Sequence, residues 1–224
     1  MKKILVVVDM QNDFIDGALG TPEAVAIVDN VVEKIRGEEW DSIYGTLDTH
    51  FDDEYLSTQE GRKLPVKHCI CQTLGHRTHK KISAAIDESN CNNTEPLLKT
   101  TFACLELVDW ISRNYAYRTD MTDADLEITL VGVCTDICVI ANALLLKTHF
   151  PEARIVVDAS CCAGSTPEKH EAALNVMESC QIDILNEVSG DHKGILLVDY
   201  TRCDICPDVT RCVDEEWDVC KKED

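Results

Sequence analysis

Five residues of this 224-residue chain stand out because their types can do chemistry and each closely follows a largely apolar run. Asp9 comes directly after Ile4–Val8, Asp48 and His50 after Ser42–Leu47, Lys99 after Pro96-Leu97-Leu98, and Cys138 just beyond a run ending at Val133. In an open parallel sheet the carboxyl ends of the strands share one rim, and ligands bind in the crevice outside it. That rim would collect a carboxylate, an ammonium, a thiol and an Asp-x-His pair. Such a convergence is stronger evidence of a site than any one of those residues.

Cys138 is expected in the first turn of a helix over Asp136–Lys147. Unpaired N–H groups and the positive dipole end there favour thiolate over thiol and can receive a developing oxyanion. Taken singly, Cys138 also fits a buried structural cysteine, Asp9 a strand-terminal polar residue and Lys99 a surface lysine. Their shared rim is what favours chemistry. Asp48-Thr49-His50 places a carboxylate and an imidazole on one side of an extended segment, because side chains alternate with period two. With His68 as a candidate third ligand they would hold a divalent metal with open positions; taken alone, the pair is more often a hydrogen-bonded aspartate and a satisfied histidine.

The elements that must position these residues are legible from periodicity. Ile4–Val8 and Ile128–Val133 are continuous apolar runs rich in β-branched residues, as in parallel strands covered on both faces. Ser42–Leu47, Arg154–Val157 and Ile182–Leu185 read as further strands. Thr21-Pro22-Glu23 and Ser165-Thr166-Pro167-Glu168 open helices that run to Gly37 and Met177, and others are expected near 79–87, over Cys104–Arg113 and over Ile137–Lys147. Residues 52–95 otherwise read as polar and irregular. Strands alternating with helices predict an α/β three-layer sandwich, with a mostly parallel central sheet and helices on both faces. This domain spans residues 1–188. A cysteine-rich acidic appendage follows over 189–224, where Ile195–Val198 would add an edge strand and Cys203, Cys206, Cys212 and Cys220 offer a second metal site.

A formal net charge of −20 opposes binding to nucleic acid or an anionic membrane. The apolar run after Met1-Lys2-Lys3 is too short for a signal peptide, so a cytoplasmic location is expected. There the 13 cysteines would stay mostly reduced.

Val8-Asp9-Met10-Gln11-Asn12-Asp13-Phe14, Asp48-Thr49-His50, His68-Cys69, Lys99-Thr100 and Gly132-Val133-Cys134-Thr135-Asp136-Ile137-Cys138-Val139 together resemble the isochorismatase-like cysteine hydrolases, and within them the nicotinamidases. The resemblance implies a triad: Asp9 takes the thiol proton, Cys138 attacks an amide carbonyl and Lys99 holds the pair. It further implies an oxyanion hole from the N–H groups of Cys134 and Cys138, with a cis peptide before Cys134. Asp48, His50 and His68 would hold zinc, iron or manganese, and Phe14 and Val133 would contact the substrate. The implied reaction converts nicotinamide to nicotinate and ammonia, a step of NAD salvage, in a small-molecule enzyme whose relatives are often homo-oligomers.

Two departures bear on this expectation. Where nicotinamidases commonly carry Trp-Pro-x-His-Cys, this chain has Leu64-Pro65-Val66-Lys67-His68-Cys69, and Cys134 stands where alanine is more common. The alternatives are the same triad acting on another small amide or a carbamoyl or ureido compound, and a non-catalytic metal-binding or redox-responsive protein.

Overall fold

The computed structural model describes residues 1–91, 93–116 and 121–186. Ile195–Val198 and the four tail cysteines, Cys203, Cys206, Cys212 and Cys220, lie outside the described residues. Six strands, β1 (Lys2–Val8), β2 (Ser42–Asp48), β3 (Thr94–Lys99), β4 (Leu126–Val133), β5 (Arg154–Ala163) and β6 (Asp183–Leu185), form one sheet in the order β3-β2-β1-β4-β5-β6. Every pairing is parallel. The helices are α1 (Asn12–Ile15), α2 (Pro22–Ala26), α3 (Val28–Gly37), α4 (Gln59–Lys63), α5 (Lys80–Glu88), α6 (Leu105–Ile111), α7 (Ile140–His149) and α8 (Pro167–Ser179).

Alternation along β1 explains the three layers. Ile4, Val6 and Val8 pack with Leu107, Ile111, Leu146 and Met177, the layer of α6, α7 and α8. Leu5 and Val7 point the other way, against Val31, Ile35 and Ile82 of α3 and α5. Burial on both faces is why Ile4–Val8 of β1 is wholly apolar and β4 largely so. Thr21 and Thr166 cap α2 and α8 by accepting from Ala24 N and Lys169 N, each followed by proline at the first helical position. The single helix expected after Thr21 is broken at Ile27 into α2 and α3.

Two strands depart from the sequence expectation. Thr94–Lys99 is a full strand, although its Pro96 argues against one; it is the sheet edge, where a missing backbone donor leaves no ladder bond unmade. β5 continues past Val157 to Ala163, carrying Asp158 inside the sheet and Cys161 and Cys162 into the core. Asp158 is tolerated there because Lys34 Nζ (3.1 Å), Ser160 Oγ (2.7 Å) and Asn186 Nδ2 (3.0 Å) satisfy its carboxylate.

The chain moves outward from β1 through β2 to β3, then crosses to β4 and continues to β6, so the switch point lies between β1 and β4. Gly132 makes their contact there: its φ is +122°, and an added Cβ would fall 2.0 Å from Val8 O. Gly132→Ala should therefore cost on the order of 3 kcal/mol or more, read as a lowered urea midpoint against wild type.

Candidate active site

Asp9 ends β1 in the left-handed region, with φ 50°, an unfavourable conformation for a non-glycine residue. The surroundings enforce it. Its N–H donates to Thr46 O (3.1 Å), and Thr46 Oγ1 donates to Asp9 Oδ1 (2.7 Å). Thr46 stands opposite Val8 in the β1–β2 register. Two residues along β2, Asp48 stands opposite Lys99 on β3. Lys99 Nζ lies 2.8 Å from Asp9 Oδ2 and 3.6 Å from Asp48 Oδ1, and donates to Cys138 Sγ at 3.5 Å. The structure thus brings the three residues expected on one rim into mutual contact, with Asp9 fully buried and Lys99 and Cys138 nearly so.

Cys138 sits in a π-helical turn, Thr135–Val139, that runs directly into α7. The Cys134 carbonyl accepts from Ile137 N and Val139 N, both at 3.0 Å, and the Val133–Cys134 bond is cis. Asp136 fastens this turn to the loop before α8, accepting from Ser165 N and Ser165 Oγ at 2.7 Å each.

Burial dominates the protonation of this cluster. It pulls Lys99 down, but Asp9, Cys138 and Asp48 outweigh it and hold the ammonium well above the ordinary lysine range. Burial, with some help from Asp48, pushes Asp9 up despite Lys99. Burial and the Asp9 carboxylate push the Cys138 thiol well above its usual value. Burial beside a carboxylate thus works against the thiolate that the helix end favours, and Asp9 is the adjacent group able to take the proton.

The second group begins 3.6 Å away. Asp48, His50 and His68 are buried, and one ligand atom from each lies within 4.8 Å of the others. His68 Nδ1 is 2.8 Å from Val66 O, a carbonyl that can only accept, so Nδ1 carries a proton and Nε2, 3.5 Å from Asp48 Oδ2, is the nitrogen left for a metal. His50 Nε2 is 2.8 Å from Asp48 Oδ2 yet buried with no hydrogen-bond partner. Against the upward push of burial, His50, His68 and Lys99 hold Asp48 well below the usual carboxylate range, so it stays an anion. An ionised oxygen, an orphaned ring nitrogen and a second imidazole nitrogen turned toward them make a donor set that could hold a divalent cation.

Residues without a sequence signal complete this group. Glu60 Oε1 lies 3.8 Å from His50 Nε2 and 3.7 Å from His68 Nε2, at the open side. Tyr55 sets its ring against both imidazoles, with centroids 4.7 and 5.2 Å away, and its hydroxyl donates to Leu64 O. Burial pushes that hydroxyl up to about 12, so it remains a donor. Gln11 is fully buried and clamps the Asp48 main chain, accepting from Asp48 N (2.8 Å) and donating to Asp48 O (2.9 Å) and His76 O (2.8 Å). His76, which no sequence pattern engaged, pairs its Nε2 with Thr49 Oγ1 at 2.9 Å.

Of the residues expected to touch substrate, Phe14 stands with its ring 5.4 Å from His68. Val133 does not present its side chain: it packs into the α3–α5 core on the opposite face from Cys138, leaving only its main chain for the site. Cys134 leans on that same opposite core, and burial pushes its thiol up to about 12. A surface groove of about 600 Å³, flanked by Phe51 and Phe102, opens beside His50, Tyr55 and Glu60.

Fold and site together are those of a hydrolase built on a parallel α/β sheet. The isochorismatase domain matches residues 3–187, and the chain belongs to the isochorismatase family of hydrolases. A nicotinamidase/pyrazinamidase of Mycobacterium tuberculosis is 25% identical over 82% of this chain and 98% of its own. Among solved structures, a nicotinamidase of Bacillus subtilis (26% identity, TM-score 0.67) and a zinc complex of a pyrazinamidase of Pyrococcus horikoshii (27%, 0.63) each cover 83% of this chain and 99% of their own. An N-carbamoylsarcosine amidase of Thermoplasma acidophilum (25%, 0.61) covers 85% of this chain and all of its own. No helix among the described residues is long and apolar enough to cross a membrane.

The donor set predicts that the purified protein binds about one equivalent of zinc, measured by atomic absorption after dialysis, and that Asp48→Ala or His68→Ala abolishes the binding. Glu60→Gln should weaken it by the roughly 10–100-fold that outer-shell partners contribute.

Proposed function

We propose that this protein is a cysteine amidohydrolase that converts nicotinamide to nicotinate and ammonia. The observation that supports the reading best is the single buried ammonium of Lys99 between Asp9, Cys138 and Asp48, which joins a nucleophile site to a metal-ligand set. Asp9 takes the Cys138 proton as sulfur attacks the amide carbon. The C–S bond forms and the carbonyl oxygen becomes an oxyanion, received by the N–H groups of Cys134 and Cys138. Collapse breaks the C–N bond, and Asp9 returns its proton to nitrogen so that ammonia leaves. Water, giving a proton to Asp9, then adds to the thioester; Cys138 departs with that proton, and the acid is released. Lys99 keeps its charge throughout and holds Asp9 and sulfur together. Asp48, His50 and His68 would hold a divalent cation, which when bound would supply a Lewis-acidic anchor for a ring nitrogen.

Nicotinamide is favoured because the Asp-His-His set lies beside the thiol and because relatives bearing that activity in their names span nearly their whole length on this chain. The second reading, another small amide or a carbamoyl compound, draws on two observations. Leu64 takes the place before proline at which the family pattern has a tryptophan, and a surface groove of about 600 Å³ opens beside the histidines.

Ammonia release from nicotinamide should be lost in Cys138→Ala and fall at least about 1,000-fold in Asp9→Asn, as removal of a general base predicts. Release undiminished in Cys138→Ala would remove the mechanism; turnover of a carbamoyl amide but not nicotinamide would move the substrate. The wild-type rate should also fall as pH drops through the Asp9 pKa. Because burial raises that pKa, the acid limb should lie above the ordinary carboxylate value of about 4, and a kcat/KM profile measures it.

A further inference from the structure

Lys99 and Cys138 touch, yet their backbones are far apart in the sheet. β3 is the edge strand and pairs only with β2, so three inter-strand intervals, ~14 Å, separate it from β4. Strand pairing sets only the spacing of the strands; the Lys99–Asp9 ion pair and the packing of α6 with α7 bring the two ends together, and one side chain adds hydrogen bonds across them. Asn142, on α7, is fully buried and bonds only to main chain in the described contacts. Its Nδ2 donates to Cys138 O at 2.8 Å and, at a longer 3.3 Å, to Phe102 O; its Oδ1 accepts from Cys104 N at 2.9 Å. Phe102 and Cys104 belong to the short loop between Lys99 and α6, and Cys104 is the residue that begins that helix.

The amide therefore fixes the nucleophile's own carbonyl and the segment immediately after Lys99 with one rigid group. It uses donor and acceptor at once, which no aliphatic residue of its size can do. Its position fits no helix-face rule: Ile140–Leu146 of α7 is otherwise apolar, and a buried polar residue there serves neither solvent nor helix formation.

We propose that Asn142 is a positioning residue that sets the distance between the Lys99 ammonium and the Cys138 sulfur. This rests on the nucleophile reading above. Asn142 touches no reacting atom; it acts through Lys99, whose charge favours ionisation of the thiol beside it.

The test is a double-mutant cycle on Cys138 alkylation by iodoacetamide at fixed pH, followed by mass spectrometry of the Cys138 peptide, with melting temperature recorded for each protein. Lys99→Met and Asn142→Leu should each slow alkylation on the order of tenfold, and the double variant should be no slower than Lys99→Met alone. Asn142→Leu should also lower kcat for ammonia release far more than it raises KM. If Asn142→Leu does not fold, the milder Asn142→Ser is measured in the same cycle. Asn142 variants that melt earlier but alkylate at the wild-type rate, or effects that multiply in the double variant, overturn the proposal. Wild-type alkylation in Lys99→Met overturns the underlying reading of Lys99 and the proposal with it, and so separates the two failures.

Discussion

The site is organised around one ammonium removed from water. Transferring a lysine cation into a protein interior costs several kcal/mol, and only closely placed anions offset it. Lys99 has Asp9, Asp48 and the Cys138 sulfur within reach, and each is itself buried. None of these groups is stable where it stands without the others: remove the cation, and two carboxylates face each other in a dry crevice. The arrangement also couples the two groups electrostatically, since the lysine paired with Asp9 helps His50 and His68 to keep Asp48 ionised.

Strand order makes this convergence attainable. The β1/β4 switch point opens a crevice at the carboxyl edge, and β2 and β3 present Asp48 and Lys99 in register on one side of it. What periodic structure cannot supply is precision beyond strand spacing. Side chains bonded to main chain provide it: Thr46 on Asp9, Gln11 on Asp48, Asp136 on the loop before α8, and Asn142 between the Cys138 turn and the loop after Lys99. The left-handed backbone at Asp9 and the crowded glycine at 132 are strained positions that persist because neighbouring strands determine them.

Much of this was legible in the chain itself. Parallel strands buried on both faces must be continuously apolar, so β1 and β4 announce themselves, and Thr-Pro-Glu openings mark α2 and α8 because caps depend on local chemistry. The reactive residues were legible for the same reason: each closely follows a strand whose end is defined by the apolar run stopping.

Tertiary structure decided the rest, wherever a residue's role depends on partners distant in sequence. Pro96 and Asp158 look like strand breakers until the edge position of β3 and the Lys34, Ser160 and Asn186 contacts make them acceptable. Glu60, Tyr55, Gln11, Thr46 and Asn142 carry no periodic signal, because a polar side chain satisfied by one long-range hydrogen bond or ring contact leaves no pattern along the chain. The protonation of Cys138 belongs here too. Its place at a helix start argues for a thiolate, but burial beside a carboxylate argues more strongly for a thiol, and burial is a property of the folded molecule alone.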